Sequence, residues 1–361
     1  MEAMLTSELK DPLELWFNEG LLLPGQRPAP FLMHLSPADV TPELQFWNLL
    51  RAELHKRVKI CSFSNLSQAG EIVVTPNNFS AYCQPHILPK FYKFRNQVLT
   101  SGRKLITFTG SREYKSKPGE VAFATATYRD SGEKSIATPG WMFDFGNNIS
   151  PIEKPEIPTV GFVGATNYPG KLSSIVNALP FPEFAIDWMA SNRTLQRNLD
   201  LRSRQAIATL VRTASIQHLR QAGNLKTAII ERNGSFFSAS DEERNRQWQE
   251  YIQNLQDNAY ILCVRGDENS SYRLYETMSA GRIPIIVDTN MKLPELGSIK
   301  WEEFSVIVPY SDLNRIGEIV QSFHDSLSSS DFEKICLRAR AAYEACLPHN
   351  FIFNSLEKVN C

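Results

Sequence analysis

The strongest constraint on the fold is a regular alternation of short apolar runs and longer amphipathic segments in the second half of the chain. Apolar strands are expected at "TVGFVG", "KTAIIE", "AYILCV" and "IPIIVD", with helices near residues 203–222, from Asp241 and from Tyr272. Apolar strands that alternate with helices in this way are typical of a doubly wound parallel sheet. Ligands of such sheets bind at the carboxyl ends of the strands.

The first half shows a shorter form of the same alternation. A helix is predicted over residues 41–58, with Thr41 as its N-cap and Pro42 at its first position. The strand "EIVVTP", the helix "LPKFYKFRNQVLTSG" closed by Gly102, and the strand "KLITF" follow it. This β-α-β order also predicts a parallel sheet.

Three prolines separate the two halves. Pro151, Pro155 and Pro158 lie in a short stretch and resist both a helix and a central strand. We therefore expect an α/β protein with two Rossmann-like domains, residues 1–150 and 151–361, that face a central cleft.

Composition and charge exclude several classes of partner. A formal net charge of −1 gives no electrostatic footprint for nucleic acid or an anionic membrane. No stretch approaches the roughly 18 apolar residues of a membrane span, and the first twenty residues do not read as a signal peptide. The 6 cysteines form no C-x-x-C pair and no His-spaced metal set. These features predict a cytoplasmic protein with reduced thiols and no integral membrane segment.

The stretch "GFVGATNYPGK" follows the first strand of the second half and is similar to a phosphate loop. The spacing of Gly164 and Gly170 is one residue too long, and Leu172 stands where such a loop needs Ser or Thr. Gly161 and Gly164 can still let the backbone approach a donor closely, and we count both as candidate donor-binding residues. A tight turn without a ligand explains the two glycines equally well.

The segment "CVRGDENSSYRLYETMSAGRIPIIVD" contains the tripeptide of adhesive loops. Here, however, the preceding strand ends at Arg265, Gly266 permits a sharp turn, and Ser270 or Ser271 can cap a helix that Gly281 ends. Arg265 is then expected at the carboxyl end of a strand, beside the free N–H groups of a capped helix. This arrangement favours an anion-binding site over an adhesive loop.

Two charged residues share one face of that helix. Arg273 can add positive charge to a diphosphate site, and the Glu276 carboxylate can accept two hydrogen bonds from the vicinal diol of a ribose. The alternative is an exposed i, i+3 ion pair that stabilises the helix by about 0.2 to 0.5 kcal/mol.

The run "YILCVRGDENSSYRLYETMSAGRIPIIVDTNMKLP", followed by "WEEFSVIV", resembles the C-terminal signature of the exostosin family, glycosyltransferase family 47, especially its bacterial-type members. The resemblance is dense over residues 260–308, looser at "PTVGFVG" and poor over residues 1–150. It implies an inverting glycosyltransferase of the GT-B class that uses a nucleotide sugar, usually a UDP-sugar. The expected donor-binding residues are Arg265, Gly266, Ser271, Arg273 and Glu276, together with Gly161 and Gly164.

The expected reaction places the nucleotide sugar in the C-terminal domain and a glycan or other hydroxyl acceptor in the N-terminal domain. No Asp-x-Asp occurs in the chain, so we expect no metal and no other cofactor, with Arg265 and Arg273 stabilising the departing diphosphate. A base must remove the proton of the acceptor hydroxyl. The candidates for that base are Asp130, which we place first, and then Glu113, Asp144 and His86.

One departure from the family pattern supports a second hypothesis. Members commonly carry an acidic residue after the strand that matches "FSVIV", where this chain has Pro309 and Tyr310. The alternative function is therefore a catalytically inactive glycosyltransferase-like subunit that binds sugar or a partner enzyme.

Overall fold

The computed structural model describes residues 12–26, 28–35, 46–109, 114–130, 135–146, 148–167, 183–199, 201–233 and 240–360. The chain forms two compact units, which exchange segments along the sequence. The first contains Met1–Thr125, Gly132–Thr138 and Leu347–Cys361, and the second contains Ala126–Ser131 and Pro139–Cys346.

These units differ from the boundary expected after residue 150. Residues 139–150 belong to the second unit because they are bonded to it: the Phe145 amide donates to Ser279 Oγ, and Arg282 donates to the Ser150 carbonyl. The prolines at 151, 155 and 158 therefore lie inside the second unit.

The first unit contains a six-stranded sheet in the order β2-β1-β3-β4-β5-β6, with all pairs parallel. Its elements up to the last strand are β1 (Leu13–Asn18), α1 (Phe46–Arg57), β2 (Val58–Phe63), β3 (Ile72–Val74), α2 (Phe79–Tyr82), α3 (Leu88–Thr100), β4 (Lys104–Thr109), β5 (Glu120–Ala124) and β6 (Ser135–Ala137). The helix expected over 41–58 ends one residue earlier, since Val58 begins β2; its proposed cap residues Thr41 and Pro42 lie outside the described residues. Gly102 follows α3 with a φ of 78°, as a helix-terminating glycine should.

The second unit contains a five-stranded parallel sheet in the order β11-β10-β9-β7-β8. Its elements are β7 (Thr159–Asn167), α4 (Glu183–Ser191), α5 (Arg193–Asn198), α6 (Leu201–Gln221), β8 (Lys226–Asn233), α7 (Asp241–Asp257), β9 (Tyr260–Cys263), α8 (Tyr272–Ser279), β10 (Ile283–Asp288), β11 (Val306–Pro309), α9 (Ile316–Asp325) and α10 (Ser329–Cys346). The chain leaves β7 for β8 on one side and then returns to β9 on the other, so the strand order reverses between β7 and β9.

The predicted elements of this unit form because their apolar residues reach a common core. All four residues of β9 are buried, as are Ile283 and Ile285 of β10. The amide of Glu243 donates to Ser240 Oγ at 3.3 Å, which caps α7 where the sequence predicts its start.

A last helix, α11 (Pro348–Asn360), belongs to the first unit and packs against α1. There the Arg57 guanidinium lies 4.9 Å from the centroid of the Phe353 ring. This helix was not predicted. Within the described part of the chain, no helix has the length and apolar character to cross a membrane. The two parallel sheets with their helices confirm the expected α/β fold class with two Rossmann-like units.

Candidate functional site

The candidate site lies at the carboxyl edge of the second sheet, where β7 and β9 are neighbours. Residues 264–271 turn from β9 into α8, so the N-terminus of α8 belongs to this edge. Ser271 is the N-cap residue, but its side chain makes no capping hydrogen bond, which differs from the expectation. Gly281 has a φ of 62° and follows the end of α8, as predicted. The edge is a topological switch point, where open α/β sheets bind ligands.

Arg273 lies over the carboxyl end of β7. Its Nη2 donates to the Val163 carbonyl, and its guanidinium stands 4.4 Å from the centroid of the Phe162 ring. A Cβ at Gly164 would lie 2.8 Å from that same Nη2, so the glycine leaves the space that Arg273 occupies. The Nε of Arg273 is buried and has no partner among the described residues. The guanidinium therefore keeps hydrogen-bonding capacity for a ligand.

Glu276 carries a carboxylate that forms no ion pair with any cationic side chain in the described parts of the chain. Its Oε2 accepts a hydrogen bond of 2.5 Å from the Tyr251 hydroxyl. Burial raises the pKa of Glu276, while the Tyr251 hydrogen bond and the charge of Arg273 act in the opposite direction. Arg273 and Glu276 are both described and form no ion pair with each other, so the exposed i, i+3 pair considered above is not present.

Arg265 does not occupy the position that the sequence suggested. Its side chain is 0% exposed, and its Nη1 donates to the Ala190 carbonyl at 2.5 Å. Its Nη2 donates to Gln196 Oε1 at 3.0 Å and to the Asp267 carbonyl at 3.4 Å. Because these donors are directed at acceptors of the protein, Arg265 fastens the end of β9 to the region of α4 and α5. It does not present its charge to a diphosphate.

The two remaining glycines have structural explanations. A Cβ at Gly161 would lie 2.5 Å from Asn254 Oδ1 and 3.0 Å from Asn258 Nδ2, so this glycine lets the end of α7 pack onto β7. The amide of Gly266 donates to the Ser270 carbonyl at 2.9 Å, which closes the predicted turn.

Two arginines of α6 extend the positive charge of this edge. Arg212 donates from Nη1 to the Ala165 carbonyl at 2.8 Å and from Nε to the Arg265 carbonyl at 3.3 Å. Arg204 pairs with Glu268 in the turn before α8. Burial raises the pKa of Glu268 to about 7 despite the charge of Arg204. Neither arginine was predicted from the sequence. They are eight positions apart, a little over two helical turns, so they lie on neighbouring faces of α6.

The candidate bases are scattered. Asp130 is exposed and belongs to the second unit, because the segment that carries it pairs with residues 290–292 through Tyr128 and Arg129. Asp144 forms an ion pair with Arg340. His86 is exposed in the first unit, and Glu113 lies outside the described residues. No hydrogen bond or ion pair joins the described candidates to Arg273 or Glu276.

Among the residues that the structure describes, no group of three or more His, Cys, Asp or Glu side chains has an arrangement that could hold a metal ion.

Comparison with known proteins connects this site to a family. The family described as "Exostosin GT47 domain" matches residues 138–323, just over half of the 361-residue chain. This range contains β7, β9 and α8, together with all the candidate donor-binding residues.

Individual relatives match over shorter stretches. A probable glycosyltransferase of Arabidopsis thaliana is 33% identical over 72 residues, which are 20% of this chain and 15% of that protein. An exostosin-1 homolog of Caenorhabditis elegans is 27% identical over 107 residues, 30% of this chain and 27% of that protein. A probable glucuronosyltransferase of Oryza sativa subsp. japonica is 33% identical over 72 residues, 20% of this chain and 17% of that protein. The matches thus span less than a third of the length of these relatives.

Solved structures give weaker similarity. The crystal structure of TarM aligns with a TM-score of 0.33 and 10% identity, covering 80% of this chain and 55% of that one. The crystal structure of alpha1,3-fucosyltransferase with GDP aligns with a TM-score of 0.35 and 11% identity, covering 97% and 95%. These scores are too low to support a functional argument, and the family match rests on the sequence of residues 138–323. By that match, the chain belongs to the exostosin GT47 family.

Proposed function

We propose that the chain is an inverting, metal-independent glycosyltransferase that moves a sugar from a nucleotide-diphosphate donor, most simply a UDP-sugar, to a hydroxyl group of a glycan or other acceptor. One observation carries this proposal. Arg273 and Glu276 stand one turn apart at the switch point of the second sheet, and each keeps bonding capacity that the other does not use.

The diphosphate would lie at the N-terminus of α8. There it meets the positive end of the helix dipole and the guanidinium of Arg273, both of which favour an anion. Arg212 and Arg204 add positive charge at the ends of β7 and of the turn after β9. As the bond between sugar and diphosphate breaks, these groups stabilise the developing negative charge without a divalent ion.

The ribose of the donor would lie against Glu276. The carboxylate has one oxygen bonded to Tyr251, while Oε1 has no hydrogen-bond partner among the described residues. A carboxylate accepts strongly from hydroxyl donors, so the vicinal diol of a ribose matches this group. Glu276 would therefore recognise the nucleoside and Arg273 the phosphates.

Transfer of the sugar also requires a base that removes the proton of the acceptor hydroxyl. Asp130 remains the proposed base, because it is exposed and no described side chain neutralises it, whereas Asp144 is bound to Arg340. Attack of the acceptor oxygen on the anomeric carbon, opposite the leaving diphosphate, would then invert that carbon.

Turnover can be tested without knowing the acceptor. The purified chain is incubated with UDP-, GDP- and other nucleotide sugars, with and without EDTA, and slow release of the nucleoside diphosphate is measured. We expect release from one class of donor and the same rate with EDTA. Loss of activity with EDTA and its return with manganese or magnesium would disprove the metal-independent mechanism.

The second hypothesis is an inactive glycosyltransferase-like subunit. It is favoured by Tyr310, which is buried, with a hydroxyl that no described residue hydrogen-bonds, where family members commonly carry an acidic residue. Tight binding of a nucleotide without turnover on any donor, across a broad panel of acceptors, would support this hypothesis over the first.

A further inference from the structure

We propose that Tyr251 is a positioning residue of the donor site, which holds the Glu276 carboxylate in the orientation that binds the nucleoside. This inference rests on the proposed function of Glu276 and extends the site to a second helix, α7. The sequence motif around residues 263–288 gives no indication of it, because Tyr251 lies before β9.

The geometry of the contact is that of a strong hydrogen bond. The Tyr251 hydroxyl donates to Glu276 Oε2 at 2.5 Å, and a neutral phenol can only serve the carboxylate as a donor in this way. Burial and the nearby negative charge of Glu276 raise the pKa of Tyr251 well above its usual value, so the phenol stays protonated. Oε2 is thereby fixed, and Oε1 is left for a ligand.

The ring of Tyr251 is itself held in place by aromatic neighbours. Its centroid lies 5.9 Å from that of Phe145, in an edge-to-face arrangement, and 6.2 Å from that of Trp248. Phe145 is fully buried, and its backbone amide is bonded to Ser279 Oγ at the end of α8. The phenol is therefore fixed with respect to the helix that carries Glu276.

The hydrogen bond also has an electrostatic role. Burial raises the pKa of Glu276, and the two opposing influences are Tyr251 and Arg273. The other titratable groups that face Glu276 are Cys263 on β9 and Tyr343 on α10, and burial raises the pKa of both. Because these two stay neutral below pH 9, an acid limb of nucleoside binding would report on Glu276 alone.

The test uses Tyr251→Phe in the full chain, with uridine, UDP and inorganic pyrophosphate as probes. The ring is kept, so Phe145 and Trp248 retain their neighbour. The matched control is Tyr343→Phe, which removes a buried hydroxyl that has no hydrogen-bond partner among the residues the structure describes. Circular dichroism and thermal unfolding check that both variants fold as the parent does.

We expect Tyr251→Phe to lower the affinity for uridine and for UDP about tenfold at neutral pH. This corresponds to the loss of one charge-assisted hydrogen bond at the low end of its range of strengths. Pyrophosphate affinity should stay within about twofold, because the phosphates lie with Arg273 and not with Glu276. Tyr343→Phe should bind all three probes like the parent.

The pH dependence separates positioning from a general structural role. Loss of the hydrogen bond raises the pKa of Glu276, so the midpoint of the acid limb for uridine should move up by about one pH unit in Tyr251→Phe. In Glu276→Gln this limb should vanish, and adding Tyr251→Phe to that variant should not restore it. Uridine has no phosphate, so ionisation of the ligand cannot imitate the shift.

Two outcomes would overturn the inference in distinguishable ways. Uridine affinity and midpoint equal to the parent's in Tyr251→Phe, or an equal loss at every pH, would reject the positioning role and leave the donor site intact. Failure of the parent to bind any nucleotide would reject the proposed function, and the role of Tyr251 with it.

Discussion

Arg265 shows at the scale of a single residue how a correct motif can carry an incorrect role. The residue stands where the signature places it, at the end of β9, but its guanidinium is entirely buried and bonded to carbonyls and an amide of α4, α5 and the following turn. Sequence spacing locates a residue along an element, whereas the direction of a long side chain depends on neighbours that are remote in sequence. Arg273, eight residues later, is the arginine whose bonding capacity remains open.

This difference predicts a larger loss of stability on removal of Arg265 than on removal of Arg273. Arg265→Ala should lower the free energy of unfolding by about 2 to 4 kcal/mol, because it leaves buried acceptors without a donor. Arg273→Ala should cost less stability, since its side chain is only half-buried. Urea unfolding of both variants measures this, and equal losses would contradict the assignment of Arg265 to fold support.

Glu268 predicts a pH dependence of stability. Its pKa is about 7 in the folded protein against 4.5 ordinarily, because its carboxyl is buried, and the neighbouring Arg204 guanidinium offsets only part of this rise. The folded state therefore holds this proton more tightly than the unfolded state. The stabilisation that this bound proton gives the folded state is fully present below about pH 4.5 and is lost as the pH rises to about 7. Over that range the free energy of unfolding falls by at most about 1.4 kcal/mol per pH unit.

Glu268→Gln removes this titration. The free energy of unfolding of the parent should therefore fall relative to that of Glu268→Gln as the pH is raised from 5 to 7. Above that range the difference should become constant. Glu302→Gln, at an exposed position, serves as the control for the general effect of replacing one carboxylate by an amide. A constant difference between Glu268→Gln and the parent over this range would show that Glu268 titrates normally.

At the scale of elements, the two glycines of β7 illustrate two uses of a missing side chain. Gly161 makes room for Asn254 and Asn258 of the α7 region, whereas Gly164 makes room for Arg273. Asn254 is held by a hydrogen bond to the Ala228 carbonyl at 2.8 Å, so it cannot easily move away from an added Cβ at residue 161. The end of the flexible Arg273 side chain can move away from a Cβ at residue 164 at little cost.

The alanine variants should therefore separate packing from binding. Gly161→Ala should destabilise the fold by about 1 to 3 kcal/mol through overpacking, with UDP affinity unchanged in the folded protein. Gly164→Ala should cost little stability but displace Arg273 and weaken UDP. Calorimetry and thermal unfolding on the same samples decide this, and a purely structural effect of Gly164→Ala would contradict the placement of Arg273.

The elements that could be predicted share strong apolar patterns. The strands β7, β9 and β10 and the helices α6 to α8 are flanked by caps, turns or glycines, and the interiors of the strands are largely buried, so their periodicity identified them. The edge strand β2 has only its two end residues buried, and β6 has three residues, so neither carries a clear period. Helix α11 begins at Pro348, and because only Leu347 separates it from α10, the proline alone does not distinguish the end of one helix from the start of the next.

The same limit applies to the candidate site. Arg273 and Glu276 were predicted because both lie on one helix beside a recognisable turn. Tyr251, Arg204 and Arg212 come to the edge of the sheet from helices that precede it in sequence, and only the strand order determines that they meet there.

At the scale of the whole molecule, each unit takes segments from distant parts of the chain. The second unit includes Ala126–Ser131, which lies between β5 and β6 of the first unit, and the first unit recovers the chain at Leu347. A single boundary in the sequence cannot describe such an exchange. The prolines near residue 155 therefore do not mark the division between the two units. Asp130 changed unit for the same reason.

The central claim is that Arg273 and Glu276 divide the recognition of one nucleotide between phosphate and nucleoside. Isothermal titration of UDP, uridine and pyrophosphate into the parent, Arg273→Ala and Glu276→Gln tests it most directly. We predict that Arg273→Ala lowers the affinity for UDP and for pyrophosphate about tenfold or more and leaves the affinity for uridine unchanged. Glu276→Gln should lower the affinity for UDP and for uridine and leave that for pyrophosphate unchanged. Affinities for all three ligands equal to the parent's in both variants would contradict the account, and would reduce this edge of the sheet to a well-packed turn between a strand and a helix.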